Sequence, residues 1–437
     1  MISRTLWKTY FAAQGLQGYW SELDRFPTLN PDRARSELSK RLLAQIRYFG
    51  SRTDALQEWR DAAHIDTPDE LWRVWQSLPI MRKQDLRERF HPTSIQERFG
   101  IIGSASTTGG STGEPTPYLH DRAMLRATTA TRLYSRMRMG WIPGMPTICV
   151  WGSERDIGRQ RSVRNRISCF LRRDLLVDGY SLDGKTVDTV LAATRRYPGL
   201  ALFGFTSMLE FVAREMARRG ILPPAGVVQA LWNGGEMLYD HQRALFRQVF
   251  GLPIRNAYGG RELSLMAFER SDDEVLNVMR PLVFLEIVDR EGRPAAPGES
   301  GRVLCTSLVC RGTPFLRYEI GDMATYRAED ADESGVKAID QLQGRVAGLL
   351  ELNGKTINCI FWNHLMKEYG EVHQFQILVR NTAGITLRLK GTPFTPGREQ
   401  SLRGRLRGLL GDLPVEIDWL QSLPRTPQGK LLQVVRV

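Results

Sequence analysis

Between Gly103 and Pro117 the chain reads Gly-Ser-Ala-Ser-Thr-Thr-Gly-Gly-Ser-Thr-Gly-Glu-Pro-Thr-Pro, set between a polar helical lead-in and a polar helix. Glycines let backbone N–H groups point inward at an anion with no Cβ in the way, and the Ser and Thr hydroxyls add donors. Such a loop makes a nest for a polyphosphate. It is not a Walker loop: that pattern needs a lysine after its last glycine, and here Glu114 and Pro115 follow Gly113. Read on composition alone, the same stretch also suits a flexible linker.

At 437 residues the chain has room for two or three domains with sizeable cores. Its 42% hydrophobic and 25% charged residues are those of an ordinary globular protein. No apolar run reaches the length needed to span a bilayer, and the opening residues lack the apolar core of a signal peptide, so a cytoplasmic protein is expected. The five cysteines (Cys149, Cys169, Cys305, Cys310 and Cys359) are scattered, with no C-x-x-C pair, and are expected to be buried thiols. The net charge of +12 favours anionic partners. Its densest cluster, Arg155, Arg159, Arg161, Arg164, Arg166, Arg172 and Arg173, reads equally as a solvated helical face or a binding patch. No nucleic-acid motif is present and aromatics do not interleave with the arginines, so nucleic acid is not an expected partner.

Residues 1 to about 95 read as helical. Thr67 is placed to cap a helix with Pro68 in the first turn and Glu70 at the capping-box position. From Thr147 to Gly260 short apolar runs alternate with helices, which argues for an α/β sheet with ligands beyond the carboxyl ends of its strands. Ser207 and Glu210 read as a second capping box, and Asp240 as the cap of a helix that stops at Gly251. Two glycine turns, Gly234-Gly235-Glu236 and Tyr258-Gly259-Gly260-Arg261-Glu262, fall at such strand ends. Residues 282 to 327 switch to an antiparallel β pattern. The tail reads as strand (372 to 380), turn, strand (385 to 390), helix (399 to 410) and strand (415 to 420), a compact α+β lid.

Seven stretches resemble the adenylate-forming superfamily of acyl-CoA ligases, luciferases and peptide-synthetase adenylation domains. Leu78-Pro79-Ile80-Met81-Arg82-Lys83-Gln84-Asp85-Leu86-Arg87 resembles the L-P-x-x-x-K-x-D-L-R segment of phenylacetate-CoA ligase-like enzymes. Thr108-Gly109-Gly110-Ser111-Thr112-Gly113 resembles the phosphate-binding signature. Gly234-Gly235-Glu236 looks like the turn that borders the adenine, and Tyr258-Gly259-Gly260-Arg261-Glu262 like Y-G-x-S/T-E with arginine in the hydroxyl position. Arg317-Tyr318-Glu319-Ile320-Gly321-Asp322 resembles R-Y-x-x-G-D, and Pro424 to Lys430 resembles P-K/R-T-x-x-G-K. Gly344-Arg345 with Gly354 resembles the hinge motif, with Gly348 where the hinge acid stands. The layout is nearest the phenylacetate-CoA ligase branch and its capsular polysaccharide biosynthesis (CapK-like) relatives.

The resemblance implies an α/β protein: a large amino-terminal domain over residues 1–343, with an antiparallel β subdomain, and a small α+β lid over residues 344–437. It implies ATP, Mg²⁺ and CoA as partners of a small-molecule carboxylic acid. The acid becomes an acyl-adenylate and then a thioester. Phosphate cradling falls to Thr108, Gly109, Gly110, Ser111, Thr112 and Gly113, and the adenine to Gly234, Gly235, Glu236, Tyr258 and Gly259. Glu262 holds Mg²⁺, Asp322 and Arg345 the ribose, Lys430 serves adenylation, and Gly344 and Gly348 form the hinge. No structural zinc is expected, because Glu269-Arg270-Ser271 stands where some relatives carry cysteines. Trp141, Trp151, Phe203, Phe205, Trp232 and Tyr258 hint at an aromatic or apolar acid, although aromatics at strand ends also serve as core. Left open are capture of the adenylate by an amine, an alcohol or a carrier-protein thiol, a paralogue that binds nucleotide without turnover, and a homodimer.

Overall fold

The computed structural model describes residues 14–51, 57–107, 116–151, 169, 173–178, 184–332, 335–345, 349–352, 355–358, 362, 365–366, 368–380, 384–425 and 431–436. The chain divides into two compact units, each assembled from separated stretches. The first takes residues 1–145, 230–235 and 255–342, and the second residues 146–229, 236–254 and 343–437.

In the first unit, short helices lead: Gln17–Arg25, Pro31–Gly50, Gln57–Ala62, Pro68–Val74, Lys83–Arg89 and Pro92–Phe99. Their starts follow local chemistry. The Asn30 side chain accepts from Arg33 N at 2.9 Å, and Thr67 Oγ1 accepts from Glu70 N at 3.3 Å, each satisfying an amide that the first turn leaves unpaired. The glycine-rich stretch is flanked by structure where a plain loop was expected. Gly103–Thr107 and Pro117–Asp121 form an antiparallel hairpin in continuous register, Gly103 opposite Asp121 and Thr107 opposite Pro117. Gly103 belongs to this ladder for a steric reason: a Cβ there would lie 2.2 Å from the His120 carbonyl oxygen. Asp121 then caps the helix Arg122–Arg138 by accepting from Met124 N at 2.9 Å.

Two antiparallel sheets complete this unit. One runs Val283–Val288, Gly301–Ser307, Tyr318–Thr325, and the other orders Ala338–Ile339, Leu276–Val278, Ser264–Glu269 and Ala257–Gly260. The expected β pattern after residue 282 is therefore present. Buried Leu285, Ile287, Val303, Leu304 and Ile320 supply its interior.

The second unit carries a parallel layer in the order Asp174–Asp178, Thr147–Trp151, Leu200–Gly204, with the helices Gly184–Arg196, Thr206–Arg219 and Asp240–Phe250. The alternation of strand and helix read from sequence is thus a parallel α/β arrangement, in which Thr147–Trp151 and Leu200–Gly204 are the largely buried, predominantly apolar strands. Gly220 and Gly251 end their helices at φ +65° and +76°, as expected of left-handed C-caps. The tail folds as the strands Val372–Val379, Ile385–Gly391 and Val415–Trp419 around the helix Pro396–Leu410. A fourth strand, Val434–Arg436, lies parallel to Val372–Val379 and escaped the sequence pattern. Ile377, Leu387, Leu389, Leu402, Leu406 and Leu410 close a core of their own. No helix among the described residues is long and apolar enough to cross a membrane.

Candidate active site

The Gly234-Gly235 turn and the Tyr258 turn are neighbours through their lead-in strands. Arg255 bridges Trp232 in parallel, Asn233 N donates to Arg255 O at 3.1 Å, and Arg255 N to Leu231 O at 2.8 Å. The fully buried Asn233 then accepts from Ala257 N through Oδ1 at 3.3 Å. Gly235 turns the chain at φ +76°, a conformation that favours glycine.

Beyond Arg255 the structure departs from the sequence reading. Ala257–Gly260 is not the end of a parallel strand but one arm of an antiparallel hairpin with Ser264–Glu269. Its turn carries Arg261, Glu262 and Leu263, so Glu262 sits at a hairpin tip. Gly259 is required there, because a Cβ would meet Ser264 O at 2.3 Å. The Glu262 side chain is 6% exposed, and a Cβ on Gly260 would lie 3.0 Å from its Oε2. Among the described residues no cation pairs with this carboxylate. The backbone is held from the other side: His120 Nε2 donates to the Glu262 carbonyl oxygen at 2.6 Å. Burial pushes the His120 imidazole below its ordinary pKa, so the neutral ring with its proton on Nε2 fits the contact.

Asp322 comes from a different sheet. In the pairing of Gly301–Ser307 with Tyr318–Thr325, Arg302 faces Met323 and Leu304 faces Glu319, so Ile320, Gly321 and Asp322 together oppose Val303. That is a bulge, with Gly321 at φ +91°, and it re-aims the aspartate. The Tyr258 hydroxyl donates to Asp322 Oδ2 at 2.9 Å, which joins two of the predicted site residues directly. Lys83 approaches the same turn, its Nζ 3.8 Å from where a Gly321 Cβ would stand.

The strand bearing Asp322 is fixed by Arg317, whose predicted motif position had no assigned task. Its side chain is 1% exposed and its φ is +41°. The guanidinium donates to Leu78 O at 2.6 Å, Gln76 O at 2.9 Å, Gly292 O at 3.1 Å and Glu286 Oε1 at 3.2 Å. Burial pushes the Glu286 carboxyl up, and Arg317 pulls against that shift. Met81 N donates to Arg317 O and Glu319 N to Met81 O, so the Leu78 to Met81 segment lies along Tyr318 as an added strand residue. Two stretches singled out separately in the sequence are one structural piece.

Within the second unit, Glu236 is engaged. Its carboxylate accepts from Ser207 N at 2.7 Å, from Ser207 Oγ at 3.1 Å and from Leu431 N at 3.3 Å. The expected capping box at Ser207 is corrected by this contact. The helix N-cap is Phe205, which offers no side-chain acceptor, and Glu236 supplies one from outside. Glu210, the expected partner, instead pairs with Arg214 and Gln242. Asp240 is likewise the first helical residue, one place inside the cap at Tyr239. Leu431 follows Lys430, and Arg425 donates to Ser207 Oγ at 3.4 Å.

Of the other predicted residues, Gly344 and Arg345 end the strand Gln341–Arg345. Thr108, Gly109, Gly110, Ser111, Thr112, Gly113, Gly348 and Lys430 lie outside the described residues, as do the cluster arginines other than Arg173. Cys305 and Cys310 are buried thiols, and burial holds Cys310 up at about 12. Among the aromatics, Trp151 stacks on Phe205 at 3.8 Å and on Phe203 at 5.2 Å between ring centroids. Trp141, Phe205 and Trp232 are buried.

No family model matches the chain. By sequence it is 22% identical over 358 residues to the phenylacetate-coenzyme A ligase of Thermus thermophilus, across 78% of this chain and 76% of that one. By structure it superposes on 2-hydroxyisobutyryl-CoA ligase in the postadenylation state with R3-HIB-AMP at a TM-score of 0.70. That match has 16% identity and covers 94% of this chain and 91% of that one. The chain has the fold of the adenylate-forming superfamily. The amide bond synthetase McbA of Marinactinospora thermotolerans superposes at 0.53, with 17% identity over 74% of this chain and 66% of its own. Within this fold Tyr258 and Asp322, from two of the motif turns, are in direct contact, and Glu262 lies at a hairpin tip.

Proposed function

We propose that the protein is an AMP-forming acid–thiol ligase, which activates an aromatic or apolar carboxylic acid with ATP and passes the acyl group to CoA. The observation that carries this reading is the Tyr258 to Asp322 hydrogen bond, made across two motif turns in a chain with the adenylate-forming fold. The names of the two ligases it is similar to point to CoA as the acceptor.

A substrate carboxylate oxygen attacks the α-phosphorus of ATP and the bond to pyrophosphate breaks. The thiol sulfur then attacks the acyl carbon and AMP leaves. Asp322 presents its carboxylate beside a glycine bulge, a fit for the two ribose hydroxyls, and Tyr258 orients it while offering its ring to the adenine. Glu262 presents a buried carboxylate that pairs with no cation among the described residues, the hard donor that Mg²⁺ selects. The metal would neutralise phosphate charge as pyrophosphate departs. Thr108 to Gly113 cradle the phosphates, Arg345 adds a donor to the ribose, and Lys430 meets charge that develops at the α-phosphate. Gly344 and Gly348 supply the backbone freedom for a change of state between the two half-reactions. Trp151 and Phe203, half-buried and stacked, are the aromatic surface nearest in character to an apolar acid.

The test is pyrophosphate release from ATP and Mg²⁺ against aryl, arylacetic and fatty acids, with and without CoA, using Lys430→Ala as the blank. Acid-dependent release that CoA stimulates is expected. Release without CoA stimulation, pulled forward by an amine, would favour the second reading, which the likeness to an amide bond synthetase motivates. Silence with ATP still bound would sink both.

A further inference from the structure

The strand Val372–Val379 sends Phe375, Ile377 and Val379 into the core of the tail, and Gln376 to the opposite face. That glutamine is nonetheless 1% exposed. Its Nε2 donates to Leu432 O at 2.9 Å and to Pro424 O at 3.3 Å, while its Oε1 accepts from Arg388 at 3.4 Å. Pro424 and Leu432 bracket the stretch that contains Lys430. One side-chain amide has two N–H donors, and here each goes to one end of the same stretch. Further bonds hold the far end in place: Ile377 N donates to Gln433 O at 2.7 Å, and the Tyr239 hydroxyl to Gln433 Oε1 at 3.1 Å. No motif contains Gln376.

We propose that Gln376 is a positioning residue for Lys430. It ties Pro424 and Leu432, the residues on either side of the stretch 425–431, to a single side-chain amide. The proposal rests on the ligase reading for its catalytic consequence, but the clamp itself is a matter of two hydrogen bonds. Replacing the amide by a side chain of similar size without donors leaves two carbonyls without their partner.

The experiment compares the full-length protein with Gln376→Met and with Gln376→Glu, which keeps the length and the Arg388 contact but turns a carboxylate toward the two carbonyls. Hydrogen exchange of the Leu431 amide, read from overlapping peptides, is measured alongside exchange in the helix Gly184–Arg196 and steady-state pyrophosphate release. Both variants should speed exchange at Leu431 about tenfold while the helix is unchanged, and kcat should fall about tenfold with KM for ATP unaltered. Unchanged exchange at Leu431 overturns the clamp. So does exchange that rises equally in the helix, which would mark Gln376 as an ordinary buried polar residue. Faster exchange at Leu431 with kcat intact would overturn its role toward Lys430. If the parent releases no pyrophosphate with any acid, the ligase reading fails separately, and exchange at Leu431 alone decides the clamp.

Discussion

The two halves of the candidate machinery are built by different means. Around Asp322 the motif residues touch each other: Tyr258 bonds Asp322, and Gly259 and Gly321 shape the turns that bring them together. Around the stretch containing Lys430 the contacts come from residues that no motif contains, Ser207, Tyr239 and Gln376, with Glu236 as the exception. A site assembled from glycine turns and bulges is set by backbone sterics, which allow few alternatives. The flanks of the Lys430 stretch rest in part on scattered side-chain hydrogen bonds, contacts worth about 1 kcal/mol each.

That contrast can be broken first at Arg317. Arg317→Met leaves Glu286 buried without its cation and frees three carbonyls, and should cost about 3–5 kcal/mol in urea denaturation. A loss below about 1 kcal/mol would mean that the Asp322 strand does not depend on this anchor. Next, Asp322→Ala should lower acid-dependent pyrophosphate release by roughly 10²–10³ with little change in melting temperature. An equal fall in both would make Asp322 structural.

Glu236→Ala tests the other half and should act more gently. Removing the acceptor for Ser207 N should cost about 1 kcal/mol, seen as a lower melting temperature, with faster exchange at Leu431. A neutral outcome would show that water caps the Thr206–Arg219 helix as well as the carboxylate does. The smallest effect is a pH slope. Burial holds His120 below its ordinary pKa of 6.5, so the unfolded chain takes up the proton first as pH falls. Stability should therefore decline as pH drops through about 6.5, by less than about 1 kcal/mol at pH 6, and His120→Gln should flatten that slope. An unaltered slope would assign it to other groups.

Sequence by itself determined the elements whose cause is local. The tail strands and helix, the glycine C-caps at Gly220 and Gly251, the Thr67 cap and the antiparallel pattern after residue 282 follow from periodicity and turn chemistry, which neighbours in the chain fix. The adenylate-forming resemblance was legible for a related reason, since glycine at a close approach leaves a signature in single letters. Only the tertiary structure decided the rest. The strand Val434–Arg436 forms because Val372–Val379 offers it an edge. Gly321 and Asp322 lie in a bulge because Arg302 and Leu304 set the register across from them. Ser207 lost its predicted cap role to a carboxylate 29 residues away, and Arg317 gained its four partners from segments as far as 241 residues off. A hydrogen bond between distant residues has no period and no spacing, so nothing in the order of letters announces it until the chain has folded.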